Sequence, residues 1–161
     1  GGGTAGSCRP NPDYWGALLF TRLMGDTVLR VTQHGGGESL RVWGACRRSA
    51  RAKLGYVLLV LNLANASAEF ALPPATGAAA VGRYVLTPWD NTSEALSAGG
   101  LRSQLRLNGE KLELLPHAPW LPPLQGATEE VPAGTAITVP PLAAAFFEVG
   151  QAIPACAAGA G

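Results

Sequence analysis

The segment Pro10–Leu29 reads PNPDYWGALLFTRLMGDTVL, and it carries the one long helical pattern of the 161-residue sequence. Asn11 is a favourable N-cap residue. Pro12 suits the first helical position, because the N–H that it lacks would have no partner there. Gly25 can adopt the left-handed conformation that ends many helices. These signals predict a helix over Asp13–Met24 that ends at Gly25.

One side of this helix is apolar. The apolar residues recur at helical spacing and comprise Tyr14, Ala17, Leu18, Leu19, Leu23 and Met24. A single helix of about 13 residues is only marginally stable in water. The helix must therefore pack on a partner, and we expect an exposed apolar stripe wherever a part of that partner is missing.

The rest of the sequence reads as strands and turns. The clearest signal is Asn108-Gly109, which favours a type I′ hairpin between Ser103–Leu107 and Glu110–Leu114. The other predicted strands are Thr27–Thr32, Leu40–Cys46, Tyr56–Leu63, Glu69–Leu72, Arg83–Thr87, Thr135–Val139 and Ala144–Val149. Tyr56–Leu63 is continuously apolar and is predicted to be buried on both faces. Eight or nine short strands and no second helix indicate a mainly β fold, an antiparallel β-sandwich preceded by one α-helix.

The composition indicates one globular domain. Charged residues make up 14% of the chain and its net charge is +1, so nothing in the charge favours nucleic acid or an anionic membrane as a partner. No uninterrupted apolar run reaches the roughly 18 residues of a membrane-spanning helix. The sequence starts at Gly1 without a methionine, and we interpret it as a fragment whose targeting signal lies upstream.

Cysteines and glycosylation motifs favour the secretory pathway. The chain has three cysteines, Cys8, Cys46 and Cys156, and the residues alone leave all three single pairings open. Asn-x-Ser/Thr motifs begin at Asn65 and Asn91, at predicted loops or strand ends. We therefore expect glycosylation at Asn65 and Asn91 in a compartment that permits disulfides.

The carboxylates do not assemble into a glycosidase acid/base pair, which needs two carboxyl groups at a fixed separation in a cleft. Most lie at predicted turns or on solvated faces: Asp26, Glu38, Asp90, Glu94, Glu110, Glu113, Glu129 and Glu130. Glu148 lies in the apolar run Phe146–Val149, and we expect it to point outward from an alternating strand. The sequence therefore predicts no catalytic residue in this chain.

No metal or cofactor site is predicted either. His34 and His117 lie in loops without a second ligand at metal spacing. No phosphate-binding glycine pattern or nucleophile elbow is found. A basic cluster comprises Arg41, Arg47, Arg48, Arg51 and Lys53. Its arginines would suit a sulfated or uronic polysaccharide, but a solvated loop is the interpretation that we favour.

A set of short stretches carries a family resemblance. It comprises Pro10–Trp15, Ala17–Leu19, Arg22–Gly25, Leu40–Val42 with Cys46, Leu58–Leu59, Asn62–Leu63 before Asn65, Tyr84, Leu86–Pro88, Leu101–Gln104, Leu107–Gly109, Pro141–Leu142, Ala145–Phe147 and Pro154–Cys156. Together, and in this order over nearly the whole chain, they resemble the heparanase family of glycoside hydrolases, above all its plant-type members.

The resemblance implies a place for each part of the chain. In this family a (β/α)8 barrel carries the chemistry, and a β-sandwich follows it. Residues 1–26 then resemble the end of a truncated barrel with its last helix, residues 27–156 the C-terminal sandwich, and residues 157–161 a tail. The family disulfide joins the cysteines that match Cys46 and Cys156. In the chain-entropy model such a link stabilises by up to about 4–5 kcal/mol.

The resemblance also implies an activity for the parent protein. It would be a retaining hydrolase of β-glucuronidase type that acts on uronic-acid-containing glycans, with both catalytic glutamates on barrel strands outside this chain. The chain alone is then expected to be inactive and to brace the barrel through its helix. We expect an extracellular, lysosomal or vacuolar protein, with peripheral membrane attachment left open. The alternative is a non-catalytic carbohydrate-binding or interaction sandwich.

Overall fold

The structure, a computed structural model, describes residues 10–35, 37–48, 55–72, 78–89, 104–114 and 121–157. The elements within these ranges are α1 (Pro12–Leu23), β1 (Met24–Leu29), β2 (Leu40–Arg47), β3 (Tyr56–Asn62), β4 (Ala68–Ala71), β5 (Ala79–Pro88), β6 (Leu105–Leu107), β7 (Glu110–Lys111), β8 (Ala127–Val131), β9 (Ala136–Val139), β10 (Ala143–Val149) and α2 (Pro154–Ala157). All of the strand pairs are antiparallel. The predicted mainly β fold with one leading helix is confirmed.

The strands form two sheets of unequal size. The larger sheet has eight strands in the order β1-β2-β3-β10-β5-β6-β7, and β8 pairs with the other half of β5. The smaller sheet is the pair β4–β9. Its Phe70 and Ile137 pack against Phe147 of the larger sheet, with the Phe70 and Phe147 ring centroids 5.0 Å apart. The two sheets thus share an apolar core, as a sandwich requires.

Helix α1 packs on the opposite face of the larger sheet. Its Trp15, Leu19 and Leu23 are buried, and they share a second core with Val57 of β3 and Phe146 of β10. Neighbouring residues of β10 point to opposite faces, so Phe146 meets the helix while Phe147 meets the smaller sheet. We call the side of the larger sheet that contacts α1 the helix-bearing face.

The helix ends earlier than predicted. It stops at Leu23, and Met24 is already extended (φ −85°, ψ 126°), so the prediction that a left-handed Gly25 ends the helix is wrong. The reason is tertiary, because Met24 pairs with Arg47 as the first residue of β1. Pro12 does take the first helical position. Asn11, however, makes no capping bond through its side chain.

The strand predictions hold where the local signal is strong. Asn108 and Gly109 have positive φ (51° and 90°), as the predicted type I′ turn needs. Strand β3 is almost entirely buried. Strand β8 and the short helix α2 were missed, and β5 begins at Ala79, inside a stretch that offers only small side chains. The predicted boundary at residue 26 falls within β1, so α1 runs directly into the sheet.

Candidate functional site

The helix-bearing face presents apolar surface on both the helix and the sheet. On the side of α1 away from its buried residues, Tyr14 and Phe20 are 41% and 47% exposed. On the sheet itself, Trp43 is 46% exposed, two positions from the buried Ala45. Val28, which pairs with Ala45, is 80% exposed. Where exposed apolar side chains form a contiguous patch, the patch is typical of a surface that binds another protein segment.

A polar cluster lies on the same face, and it joins three strands of the larger sheet. Glu148 of β10 accepts a hydrogen bond on Oε1 from Nε of Arg47 at 3.1 Å, and Nη2 of Arg47 forms an ion pair with the same oxygen at 2.9 Å. Its Oε2 accepts a hydrogen bond from the Tyr84 hydroxyl at 3.0 Å. The Arg47 and Glu148 side chains are only 21% and 15% exposed. We call these three residues the Arg47–Glu148–Tyr84 cluster.

Two glycines leave the space that this cluster fills. A Cβ on Gly126 would lie 2.6 Å from Cζ of Tyr84 and would overlap with the phenol ring. A Cβ on Gly55 would lie 2.7 Å from Cδ of Arg47 and 2.5 Å from the carbonyl oxygen of Val149. A Cβ essentially never lies this close to a non-bonded heavy atom, so a larger residue at either position would force Tyr84, Arg47 or the backbone at Val149 to move.

The electrostatics of the cluster keep Tyr84 neutral. Burial, the negative charge of Glu148 and the hydrogen bond to Glu148 together raise the pKa of Tyr84 to about 12, against smaller opposing contributions from Arg47 and the backbone of Gly126. The phenol therefore stays protonated, and its hydroxyl donates a hydrogen bond to Glu148. Because both carboxylate oxygens of Glu148 are already engaged, the cluster has the form of a structural link between strands rather than of a catalytic acid or base.

Glu148 thus departs from the expectation drawn from its strand. It alternates with its neighbours, but its carboxylate is largely covered and does not point into solvent. Other described carboxylates do reach the surface and pair with cations there: Asp26 with Arg48, Glu129 with Arg83 and Glu113 with Lys111. The cluster could not be found from sequence, because 101 residues separate Arg47 from Glu148.

The predicted basic cluster does not form one patch. Arg47 belongs to the Arg47–Glu148–Tyr84 cluster, so the prediction of a solvated loop is wrong for it. Arg48 donates from Nε to the carbonyl oxygen of Met24 and pairs with Asp26 at the surface. Arg41 is exposed on β2. Arg51 and Lys53 lie outside the described residues.

The structure joins Cys46 and Cys156 in a disulfide, with their Cα atoms 5.4 Å apart. Both cysteines are buried in the core between the two sheets, and the link connects the end of β2 to α2. Asn65 is exposed in the bend between β3 and β4. Asn91 lies outside the described residues, as do Cys8 and His117.

The described ranges offer little to a small ligand. A cavity of about 240 Å³ lies at β5, β8 and β9, and the Arg83–Glu129 ion pair is in its wall, but no aromatic residue lines it for a sugar to stack on. His34 is exposed, and no three His, Cys, Asp or Glu side chains of the described residues group as metal ligands would. None of the helices described here has the length and apolarity needed to cross a membrane.

Comparison with known proteins shows that the chain is similar to heparanases and to a glucuronidase. No family model matches it. Heparanase from Mus musculus is 33% identical over 153 residues, which is 91% of this chain and 27% of that protein. Baicalin-beta-D-glucuronidase from Scutellaria baicalensis is 36% identical over 113 residues, 69% of this chain and 19% of that protein. Inactive heparanase-2 from Mus musculus is 27% identical over 156 residues, 87% of this chain and 24% of that protein.

Among solved structures, the arabinose-bound α-L-arabinofuranosidase MgGH51 shares the fold, with a TM-score of 0.56 and 14% sequence identity. The match covers 91% of this chain and 20% of that enzyme. The chain spans about a quarter of the length of the heparanases that it matches. With its sandwich, its leading helix and these similarities along nearly its whole length, the chain belongs to the heparanase family and corresponds to a C-terminal portion of it.

Proposed function

We propose that this chain is the sandwich portion of a retaining glycoside hydrolase of β-glucuronidase type, which acts on uronic-acid-containing glycans. Two of the similar proteins are named as a heparanase and a β-glucuronidase, and this supports the reaction class. The chain supplies no catalytic pair in this proposal. Its role is to support the barrel of the full protein, which carries the two catalytic glutamates.

The observation that carries this proposal is that α1 has apolar side chains on two sides, and only one of these sides is covered. The inner side of the helix is held by the sheet through Trp15, Leu19 and Leu23. Its outer side presents Tyr14 and Phe20 to solvent. We infer that the barrel covers this outer side, with α1, predicted from sequence as Asp13–Met24, acting as its last helix. We propose the predicted division into a barrel part (residues 1–26), a sandwich (27–156) and a tail (157–161), with the first boundary moved to the start of β1 at Met24.

A second candidate is a non-catalytic family member. The similarity to a protein named inactive heparanase-2 favours it, since this sequence relationship extends to a relative without activity. In that case the sandwich and helix would have the same architecture, but the full protein would bind glycan or another protein without hydrolysing it.

We further propose that the protein enters the secretory pathway and is glycosylated there, giving an extracellular, lysosomal or vacuolar location. The disulfide would be stable in such a compartment. Asn65 is exposed in a bend, where a glycan can be attached without disturbing the sandwich. Asn91 is proposed from its motif alone. We do not propose peripheral membrane attachment.

The test is hydrolysis of a chromogenic β-glucuronide by the full-length protein and by residues 1–161 purified alone. We expect turnover by the full-length protein and none by the shorter chain. Turnover by pure residues 1–161 would contradict the assignment of catalysis to the rest of the protein. An inactive full-length protein that still binds acidic glycans would favour the non-catalytic alternative.

A further inference from the structure

Two cations converge on one tryptophan at the β6–β7 hairpin. Arg106 and Lys111 are directly opposed partners in this hairpin, so their side chains project from the same face of the sheet. Cζ of Arg106 lies 4.1 Å from the centroid of the Trp89 ring, and Nζ of Lys111 lies 5.1 Å from it. Both separations are within the range of a cation–π contact. The end of β5, which pairs with β6, holds Trp89 beside the hairpin.

This arrangement carries an electrostatic cost. Like charges that face each other across an antiparallel pair are destabilising. Glu113 pairs with Lys111, and this offsets one of the two charges. For Arg106, the described residues provide no carboxylate within ion-pair distance. Its Nε is also shielded from solvent and has no hydrogen-bond partner among those residues. A shielded donor without an acceptor costs free energy, so this arginine is less well satisfied than one paired with a carboxylate.

The other half-buried arginines of the larger sheet are different. Arg47 pairs with Glu148 and Arg83 pairs with Glu129, each through the carboxylate of a neighbouring strand. Arg106 is comparably covered, yet its guanidinium lies over an aromatic ring that Lys111 also approaches, and it has no carboxylate partner among the described residues. The side-chain charges of Arg106, Lys111 and Glu113 therefore sum to +1. A bound anion would give Arg106 the negatively charged partner that Arg47 and Arg83 find in carboxylates of the protein.

We propose that Arg106 and Lys111 form an anion-binding site for an acidic group of a glycan, a carboxylate or a sulfate. The contact with Trp89 restrains the guanidinium of Arg106, whose planar fork can donate paired hydrogen bonds to such oxyanions. Lys111 adds a second positive charge. That the ligand is a glycan rests on the proposed function, whereas the anionic chemistry rests on the geometry alone.

The position of the site keeps it open when the helix-bearing face is covered. Leu105 and Leu107, on either side of Arg106, pack in the core beneath α1. Since neighbouring residues of a strand point to opposite faces, Arg106 and Lys111 lie on the face away from the helix. The site is therefore available to a glycan chain outside the surface that α1 shares with the barrel.

The test is binding to the full-length protein, measured by calorimetry with two probes at low salt. One probe is a sulfated oligosaccharide, and the other is an unsulfated oligosaccharide of uronic acid. We expect Arg106→Gln and Lys111→Gln each to weaken binding by about tenfold, the loss of one charge-assisted interaction. Arg30→Gln is the matched control, because it removes an equal charge from an exposed position, and it should change affinity by less than about twofold.

The two probes identify the group that is bound. Stronger binding of the sulfated probe assigns the site to sulfate, and equal binding assigns it to the carboxylate. Arg106→Lys keeps the charge but not the paired geometry and should bind more weakly than the native protein. If Arg106→Gln fails to fold, Lys111→Gln carries the test, since Lys111 is exposed.

Equal weakening by Arg30→Gln, or unchanged binding in both site variants, would overturn the proposal. Hydrolysis of a small chromogenic β-glucuronide separates this outcome from failure of the proposed function. The site variants should leave that hydrolysis unchanged, because the small substrate does not reach Arg106. A native protein that binds the probes through Arg106 but hydrolyses nothing would refute the enzymatic proposal and leave the site standing.

Discussion

Arg47 and Glu148 are 101 residues apart in the sequence, yet Nη2 of Arg47 lies 2.9 Å from Oε1 of Glu148. Their strands are not neighbours, because β3 lies between β2 and β10. Tyr84 on β5 extends the link to a further strand. This half-buried ion pair reaches across β3 and so connects the strands through side chains as well as through backbone hydrogen bonds. Removing one member would leave the others without their partner.

Removing Glu148 should destabilise the chain. Glu148→Ala leaves the Arg47 guanidinium and the Tyr84 hydroxyl without their acceptor in a largely covered place. We expect a loss of about 1–3 kcal/mol in the free energy of unfolding, measured by denaturant titration. Asp26→Ala is the control, since it breaks a surface pair in which Asp26 is 97% exposed, and it should have no measurable effect. Equal effects of the two variants would show that the cluster is no stronger than a surface pair.

Tyr84 should make the chain sensitive to alkali. Its folded pKa of about 12 exceeds the ordinary value of 10.0, so folding favours the protonated phenol. The stability that Tyr84 contributes is therefore complete below about pH 10 and is lost as the pH rises through about 12. Burial also raises the pKa of Tyr56, so spectrophotometric titration should show more than one late phenol, and Tyr84→Phe should remove one of them. In Glu148→Gln this titration should move to lower pH, because the negative charge is gone, and an unmoved titration would contradict the stated role of Glu148.

The disulfide should contribute a large part of the stability. Cys46 and Cys156 are 110 residues apart, and closing so long a loop stabilises by up to about 4–5 kcal/mol in the chain-entropy model. The double variant Cys46→Ser with Cys156→Ser should lose an amount approaching this limit in denaturant titration. Cys8→Ser is the control, since it removes a cysteine and keeps the disulfide. A loss of stability below about 1 kcal/mol would contradict this prediction, because removing the disulfide would then give the denatured chain little additional conformational entropy.

Phe20 tests the docking of the barrel on α1. In residues 1–161 alone, Phe20→Ser removes an exposed ring, so the free energy of unfolding should change by less than about 0.5 kcal/mol while solubility rises. In the full-length protein the same change should lower both thermal stability and glucuronide hydrolysis. Leu19→Ala should cost about 2–5 kcal/mol in either form, since Leu19 is buried. A full-length protein indifferent to Phe20→Ser would exclude this side of α1 as the docking surface.

Asn65 should carry a glycan when the full-length protein is expressed in secreting eukaryotic cells. Asn65→Gln and Ser67→Ala should each reduce the mass by one glycan, as measured by mass spectrometry before and after enzymatic deglycosylation. Ser67→Thr preserves the motif and should keep the glycan. Identical masses for the native protein and Asn65→Gln would exclude modification at this position.

Several features could be predicted because they depend on residues close together in the chain. The turn at Asn108 and Gly109 needs only two adjacent residues that tolerate positive φ. The burial of β3 follows from its unbroken apolar run. The family resemblance likewise consists of short matches that keep their order along the sequence. Each of these signals is complete within a few residues, so no knowledge of distant contacts is needed to interpret it.

Other features depended on contacts that no local pattern contains. The signal of Gly25 for a helix end was overridden when Met24 paired with Arg47 in the sheet. Glu148 belonged to an apolar run, and only the strand order brought a cation and a phenol to it. The sequence alone determined the mainly β class, the leading helix and the family. The tertiary structure decided which face of the sheet the helix covers and which charges meet, because strand order selects the partners of a side chain independently of its neighbours in the chain.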